Sequence, residues 1–182
     1  LLFQTDSKQE TNFNQNIQHA VGGLAQTMEE GMAIFCPNAN SYRRFQPGFF
    51  APITPNWGPN HRNLSIRIPL SDSGNVRIVH RAAGADANPY LVMACVLAGI
   101  HCGLKNKITP PEMISEGEVI DPEVTLPVKW DKALEAFENA TVLNEYLGSE
   151  YSDLFLRSRR CELDRFASQI SNKDFEWYLR SI

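Results

Sequence analysis

The chain has 182 residues and a formal net charge of −4, with 43% hydrophobic and 21% charged residues. Those proportions fit one globular domain with a sizeable core and exclude a disordered or fibrous chain. The acidic balance argues against general binding to nucleic acid or an anionic membrane. The longest apolar run, Tyr90 to Ile100, is far shorter than the roughly 20 residues a spanning helix needs.

No basic segment precedes an apolar stretch, so no signal peptide is visible. Cys36, Cys95, Cys102 and Cys161 show no CxxC spacing. They read as buried reduced thiols, neither a zinc site nor a disulfide framework, which points to a reducing, cytoplasmic compartment. The chain opens on Leu1-Leu2-Phe3, in mid-pattern, as expected of a piece of a larger protein.

Residues Leu1 to Asn14 are polar and irregular and read as loop. Ile17, Val21, Leu24, Met28, Met32 and Phe35 then recur every three or four residues, the apolar stripe of an amphipathic helix that Pro37 stops. His19 lies one position off the stripe, at an edge. From Asn40 to Asn60 the chain is rich in proline, glycine and aromatics, the composition of an ordered loop with fixed turns. Two strands follow, near Leu64–Pro69 and Val76–Arg81, and the Ser71-Asp72-Ser73-Gly74-Asn75 turn signal between them predicts an antiparallel pair.

Asn88-Pro89 opens the next helix as cap and first-turn proline, and Leu91 to Leu104 is apolar nearly all round, which predicts a buried helix. Lys105 to Lys129 is a proline-punctuated loop. Helices over Asp131–Leu147, Tyr151–Gln169 and Asp174–Leu179 finish the chain. The order helix, strands, helices predicts an α+β fold.

Charge is distributed unevenly. Between Asn40 and Ala85 lie six arginines, Arg43, Arg44, Arg62, Arg67, Arg77 and Arg81, with no lysine and one acid, Asp72. A planar guanidinium binds carboxylate or phosphate through two parallel hydrogen bonds, which an ammonium cannot match. Alternation with apolar residues (Ile66-Arg67-Ile68, Val76-Arg77-Ile78) predicts half-buried strands that present these arginines on one side.

Asn40-Ser41-Tyr42-Arg43-Arg44-Phe45, Pro47-Gly48, Ala51-Pro52, Trp57-Gly58, Asn60 with Arg62, Arg67-Ile68-Pro69 and Ala87-Asn88-Pro89-Tyr90-Leu91 follow in that order. The series resembles the catalytic domain of the glutamine synthetases. The likeness implies that residues 1–182 are the C-terminal portion of that domain, with the N-terminal domain and the first part of the catalytic domain absent. The implied fold is an α+β fragment with antiparallel strands flanked by helices. By resemblance Arg44 contacts the carboxylate of glutamate. Arg62 holds the transferred phosphoryl group, Arg67 and Arg77 contact nucleotide phosphate, and Arg81 contacts both glutamate and phosphate. These five should line one concave surface, with Arg67 and Arg77 on adjacent strands.

Two departures from the family pattern carry information. Phe50 stands where the family's PGYEAP motif has the glutamate that serves the incoming ammonium, and a phenyl ring cannot act as a base. It is the residue assigned to the acceptor-amine pocket, with Phe49 and Trp57 extending its apolar surface. Val79 stands where the family strand has a metal-binding glutamate, and His80 beside it should face the other way. No metal ligand is therefore expected from this chain; Mg or Mn would take its ligands mostly outside it. Phe50, the Ile108-Thr109-Pro110-Pro111-Glu112 loop and the tail from Tyr151 to Leu179 resemble the gamma-glutamylputrescine synthetase branch.

The resemblance implies an ATP-dependent ligase that joins the side-chain carboxylate of glutamate to an amine through a gamma-glutamyl phosphate. Its partners would be small-molecule substrates, with neither nucleic acid nor membrane, in a ring-shaped homo-oligomer of the full-length protein. The fragment alone is expected to be inactive. An ammonia-using glutamine synthetase and a noncatalytic relative that binds nucleotide or a partner remain the alternatives.

Overall fold

The structure, a computed structural model, describes residues 2–4, 14–46, 49, 51–69, 75–115, 118 and 125–179. Phe50 and residues 71–74 of the expected turn lie outside them.

Helix α1 (Gln15–Phe35) is the centre of the fold. Asn14 caps it by accepting from the Asn16 N–H at 2.8 Å, and the helix ends at Cys36, one residue before Pro37. The expected stripe is buried in full, from Ile17 to Phe35, and Ala20, Gly22, Gly23, Thr27 and Ala33 are buried as well. Neighbours on several sides account for this wider burial: α1 packs against α2 (Pro89–Asn106), α3 (Trp130–Glu138) and α4 (Val142–Leu147). At the α1–α2 crossing the backbones meet through glycine. A Cβ on Gly23 would lie 2.1 Å from the Gly99 carbonyl oxygen, and one on Gly103 would lie 2.1 Å from that of His19.

Strand β1 (Leu2–Gln4) lies within the segment read as loop, and it pairs antiparallel with β4 (Asn75–Arg77). A second sheet has the order β2 (Trp57–Pro59), β3 (Ile66–Ile68), β5 (Val79–His80), with β2 parallel and β5 antiparallel to β3. The expected strand Val76–Arg81 is thus divided at Ile78 between two sheets. Its second half makes the expected antiparallel pairing with Ile66 and Arg67, while its first half does not.

Two helix expectations change. Residues 131–147 form two helices, broken at 139–141, where the Glu30 carboxylate of α1 accepts from the backbone N–H groups of Thr141, Val142 and Leu143. Helix α2 is capped by Asn88 as read, but it is not buried all round: Tyr90 is 84%, Met93 57% and Leu97 46% exposed. His101, on the same helix, is exposed and pairs with the Tyr146 hydroxyl at 2.6 Å.

Helices α5 (Ser149–Ala167) and α6 (Asn172–Tyr178) complete the chain. Cys36, Cys95 and Cys102 are buried free thiols, whereas Cys161 on α5 is exposed. Among the described residues, no helix is long and apolar enough to cross a membrane.

Candidate functional site

The β2–β3–β5 sheet separates its side chains cleanly. Ile66, Ile68 and Ala82 are fully buried toward α1, and the His80 ring lies 4.7 Å from that of Phe35 at the end of that helix. Alternation then sends Ser65, Arg67, Val79 and Arg81 to the opposite face. Arg67 and Val79 are direct cross-strand partners, and the Arg81 N–H extends the ladder to the Ser65 carbonyl at 2.9 Å.

Arg62 reaches this neighbourhood from the turn that joins β2 to β3. Asn60 starts that turn with φ of 50°, a left-handed backbone that asparagine tolerates better than most residues. Arg81 is held by a bond from its Nη1 to the Leu64 carbonyl at 3.3 Å. Burial lowers its proton affinity, and the charges of Arg67 and Arg62 lower it further. The charges of Arg62 and Arg67 thus both bear on Arg81. Among the described residues the ion pairs lie elsewhere, at Lys132, Arg157, Arg159, Arg160 and Lys173. The Arg67 Nε is buried without a hydrogen-bond partner. Such a group attracts an anion with several oxygens.

Arg44 belongs to a neighbouring element, a 3-10 helix over Ala39–Arg44. Its Nη2 donates to the Ala82 carbonyl and lies 3.1 Å from Cys36 Sγ, while its guanidinium covers the Phe45 ring at 4.9 Å. The Ala82 contact ties it to the residue next to Arg81. Arg77 is exposed on β4, which pairs with β1; the expectation that it neighbours Arg67 on an adjacent strand is corrected, because β5 takes that place. The cluster that the structure gathers is Arg62, Arg67 and Arg81. Arg44 is linked through Ala82, and Arg77 belongs to the other sheet.

The acceptor side differs too. Trp57 is 4% exposed, and its indole N–H donates to the Pro111 carbonyl at 2.7 Å. It packs under the 111–114 segment and adds no apolar surface to a pocket, whereas Phe49 is 62% exposed. Trp130 at the start of α3 is buried in the core, whereas Trp177 on α6 is 64% exposed. The His61 ring lies 3.3 Å from the Glu118 carbonyl.

Residues 2–178 match the family described as glutamine synthetase, catalytic domain. The chain belongs to the glutamine synthetase family. It is similar to the gamma-glutamylputrescine synthetase of Escherichia coli, with 39% identity over 91% of this chain and 35% of that protein. It is also similar to the gamma-glutamylethanolamide synthetase of Streptomyces coelicolor, at 31% identity over 90% of this chain and 34% of that protein. The glutamine synthetase of Pyrococcus abyssi is 30% identical over 91% of this chain and 39% of the relative. Among solved structures, apo GmaS without ligand superposes with a TM-score of 0.80 at 29% identity, covering 98% of this chain and 41% of that one. The chain thus spans 34% to 41% of the length of these proteins.

Glutamine synthetase chemistry calls for ATP and a divalent cation, and the residues present fit these two unequally. The arginine cluster suits nucleotide phosphate. The face that carries it offers no oxygen donor at Val79, and His80 is turned into the core. Among the described residues no group of three or more His, Cys, Asp or Glu is arranged to hold a metal ion. Sequence reasoning also passed over Asp86 and Asn38; the Asp86 carboxylate accepts from the Asn38 amide and from the hydroxyl of Ser41, a residue of the Asn40–Phe45 motif, beside Arg44. Asn38 follows a proline and Asp86 follows Gly84-Ala85, and short polar residues in such places read as turn formers, so the local pattern does not mark these two.

Proposed function

We propose that the complete polypeptide carrying this sequence is an ATP-dependent ligase that joins the side-chain carboxylate of glutamate to an amine. The observation that carries the proposal is the placing of Arg67 and Arg81 on one sheet face with the charges of Arg62 and Arg67 bearing on Arg81, in a chain of the glutamine synthetase family. In this reading, Arg67 binds nucleotide phosphate and Arg62 and Arg81 hold the transferring phosphoryl group. Arg44, with Arg81, receives the carboxylate of glutamate. Arg77 approaches the nucleotide phosphates from outside this cluster.

The γ-phosphoryl group of ATP passes to a carboxylate oxygen of glutamate, giving the gamma-glutamyl phosphate and ADP. The amine then attacks the acyl carbon, and phosphate departs with that oxygen. Fixed cations lower the barrier by matching the charge that spreads over the phosphoryl oxygens during transfer. Among the described residues no set of side chains fits the divalent metal.

The similarity to gamma-glutamyl-amine synthetases, together with Phe50 in the acceptor position, supports an organic amine over ammonium. A phenyl ring offers no carboxylate to a small cation but can pack on methylenes or present its face to an ammonium group. The exposed Tyr90, Met93 and Leu97 stripe supports assembly into a homo-oligomer that covers it.

The test is phosphate release by the complete enzyme with ATP and glutamate, comparing ammonium, putrescine and ethanolamine. Faster release with a diamine or amino alcohol supports the proposal; faster release with ammonium makes the protein an ordinary glutamine synthetase. Val79 favours a second reading, a noncatalytic relative that binds nucleotide. Release with none of the three, with ATP still bound, is its signature.

A further inference from the structure

We propose that Asp86 is a positioning residue for the two arginines assigned to glutamate, Arg44 and Arg81; the inference rests on the ligase reading above and deepens it. Asp86 lies in the segment between β5 and α2. Its Oδ2 accepts from the Ser41 hydroxyl at 2.6 Å and from the Asn38 side-chain amide at 3.0 Å. Those two residues build the 3-10 helix that ends in Arg44. Asn38 Oδ1 accepts from the N–H groups of Asn40 and Ser41, and the Ser41 hydroxyl oxygen accepts from the Asn38 N–H in return. The carboxylate therefore grips a motif that already caps itself.

The far side of the same segment is equally determined. A Cβ on Gly84 would lie 2.4 Å from Asp86 Oδ1, so the glycine supplies the space that the carboxylate occupies. The Gly84 N–H donates to the Phe35 carbonyl at 2.9 Å, which fixes the segment to the end of α1. Just before it, the Ala82 carbonyl accepts from Arg44 Nη2, and the Arg81 N–H donates to Ser65. Residues 81–86 thus hold Arg81 against β3 at one end and the Arg44 helix at the other. Burial pushes the Asp86 carboxyl up, but bonds from Ser41, its own backbone and Asn38, with the Arg44 charge, more than reverse this and hold it below the usual carboxylate range. Asp86 Oδ2 is engaged with protein groups on the Arg44 helix, Asn38 and Ser41. Its effect is to keep two guanidinium groups on separate elements at a fixed spacing, as preorganised sites require.

Steady-state kinetics of the complete enzyme test this with Asp86→Ala, Asp86→Asn and Arg44→Ala, alongside thermal unfolding of each preparation. The expected result is a glutamate KM raised about 10-fold in Asp86→Ala, the worth of one charge-assisted hydrogen bond. The KM for ATP and the melting temperature should barely move. Asp86→Asn, whose amide oxygen can still accept from Ser41 and Asn38, should recover most of the loss. Equal impairment in Asp86→Asn and Asp86→Ala would overturn the inference in favour of a carboxylate that touches substrate. Parallel rises in both KM values with a lowered melting temperature would overturn it in favour of a merely structural role. If Arg44→Ala raises the glutamate KM and Asp86→Ala does not, the inference fails alone. If Arg44→Ala leaves the glutamate KM unchanged, the glutamate reading falls and takes the inference with it.

Discussion

Val79 stands directly opposite Arg67 across the β3–β5 ladder, so at that position the sheet face that gathers guanidinium groups carries an apolar side chain and no carboxylate. The charges acting on Arg81 are Arg67 and Arg62, both of its own sign. This uncompensated cluster is the physical basis of the functional reading.

Like charges held together are relieved by a multivalent anion. Inorganic phosphate or ATP should therefore raise the melting temperature more than sodium chloride of equal ionic strength, since chloride only screens. Differential scanning calorimetry measures this. The phosphate-specific part should vanish in the Arg67→Gln, Arg81→Gln double variant, whose own melting temperature in plain buffer should not fall.

His80 supplies a pH dependence. Burial against Phe35 pushes its imidazole down to about 4, and its Nδ1 is buried without a partner. Below about pH 6.5 the unfolded chain binds a proton that the folded chain refuses until near pH 4. Stability contributed by the neutral ring is thus complete above that window and falls as pH drops through it, by at most about 1.4 kcal/mol per pH unit. Urea unfolding between pH 4 and 7 should show this slope, and His80→Phe should flatten it.

The Glu30 carboxylate caps α4 from another helix, accepting from the N–H groups of Thr141, Val142 and Leu143 and from the Thr141 hydroxyl. Glu30→Ala leaves those donors to water or unpaired. It should cost about 2 kcal/mol of unfolding free energy, at the upper end for a helix cap.

The α1–α2 crossing tolerates no side chain at Gly23, where a Cβ would meet both Gly99 and Gly103. Both obstacles are backbone, which cannot rotate aside. Gly23→Ala should destabilise by about 3 kcal/mol, at the upper end for overpacking, despite the helix propensity it gains. A denaturation midpoint moved to higher urea would contradict the close approach.

What the sequence made legible followed from short-range regularities. The six-residue stripe of α1 and the Asn88-Pro89 start of α2 depend only on residues within a few turns, and both stand as read. The division of the 76–81 strand did not show, because alternation reports which face a residue takes and not which strand it joins. The exposed edge of α2 was hidden for a related reason: an all-apolar helix carries no mark of which side its own domain covers. At the site, the run of arginines was visible from composition. Which of them meet depends on the β3–β5 register and on the left-handed turn at Asn60, neither of which local composition encodes. Asp86 was invisible for want of any charge pattern, since its partners are a serine and an asparagine.

The central claim is that a carboxylate oxygen of glutamate takes the phosphoryl group and leaves with it, and an isotope experiment tests that claim most directly. The complete enzyme is given ATP, an acceptor amine and glutamate labelled with oxygen-18 in the side-chain carboxylate, and the released phosphate is weighed by mass spectrometry. The account predicts one oxygen-18 in each phosphate released, with both turnover and transfer lost in Arg81→Gln. Phosphate released without the label would mean that ATP is hydrolysed by water and that no gamma-glutamyl phosphate forms, which contradicts the account.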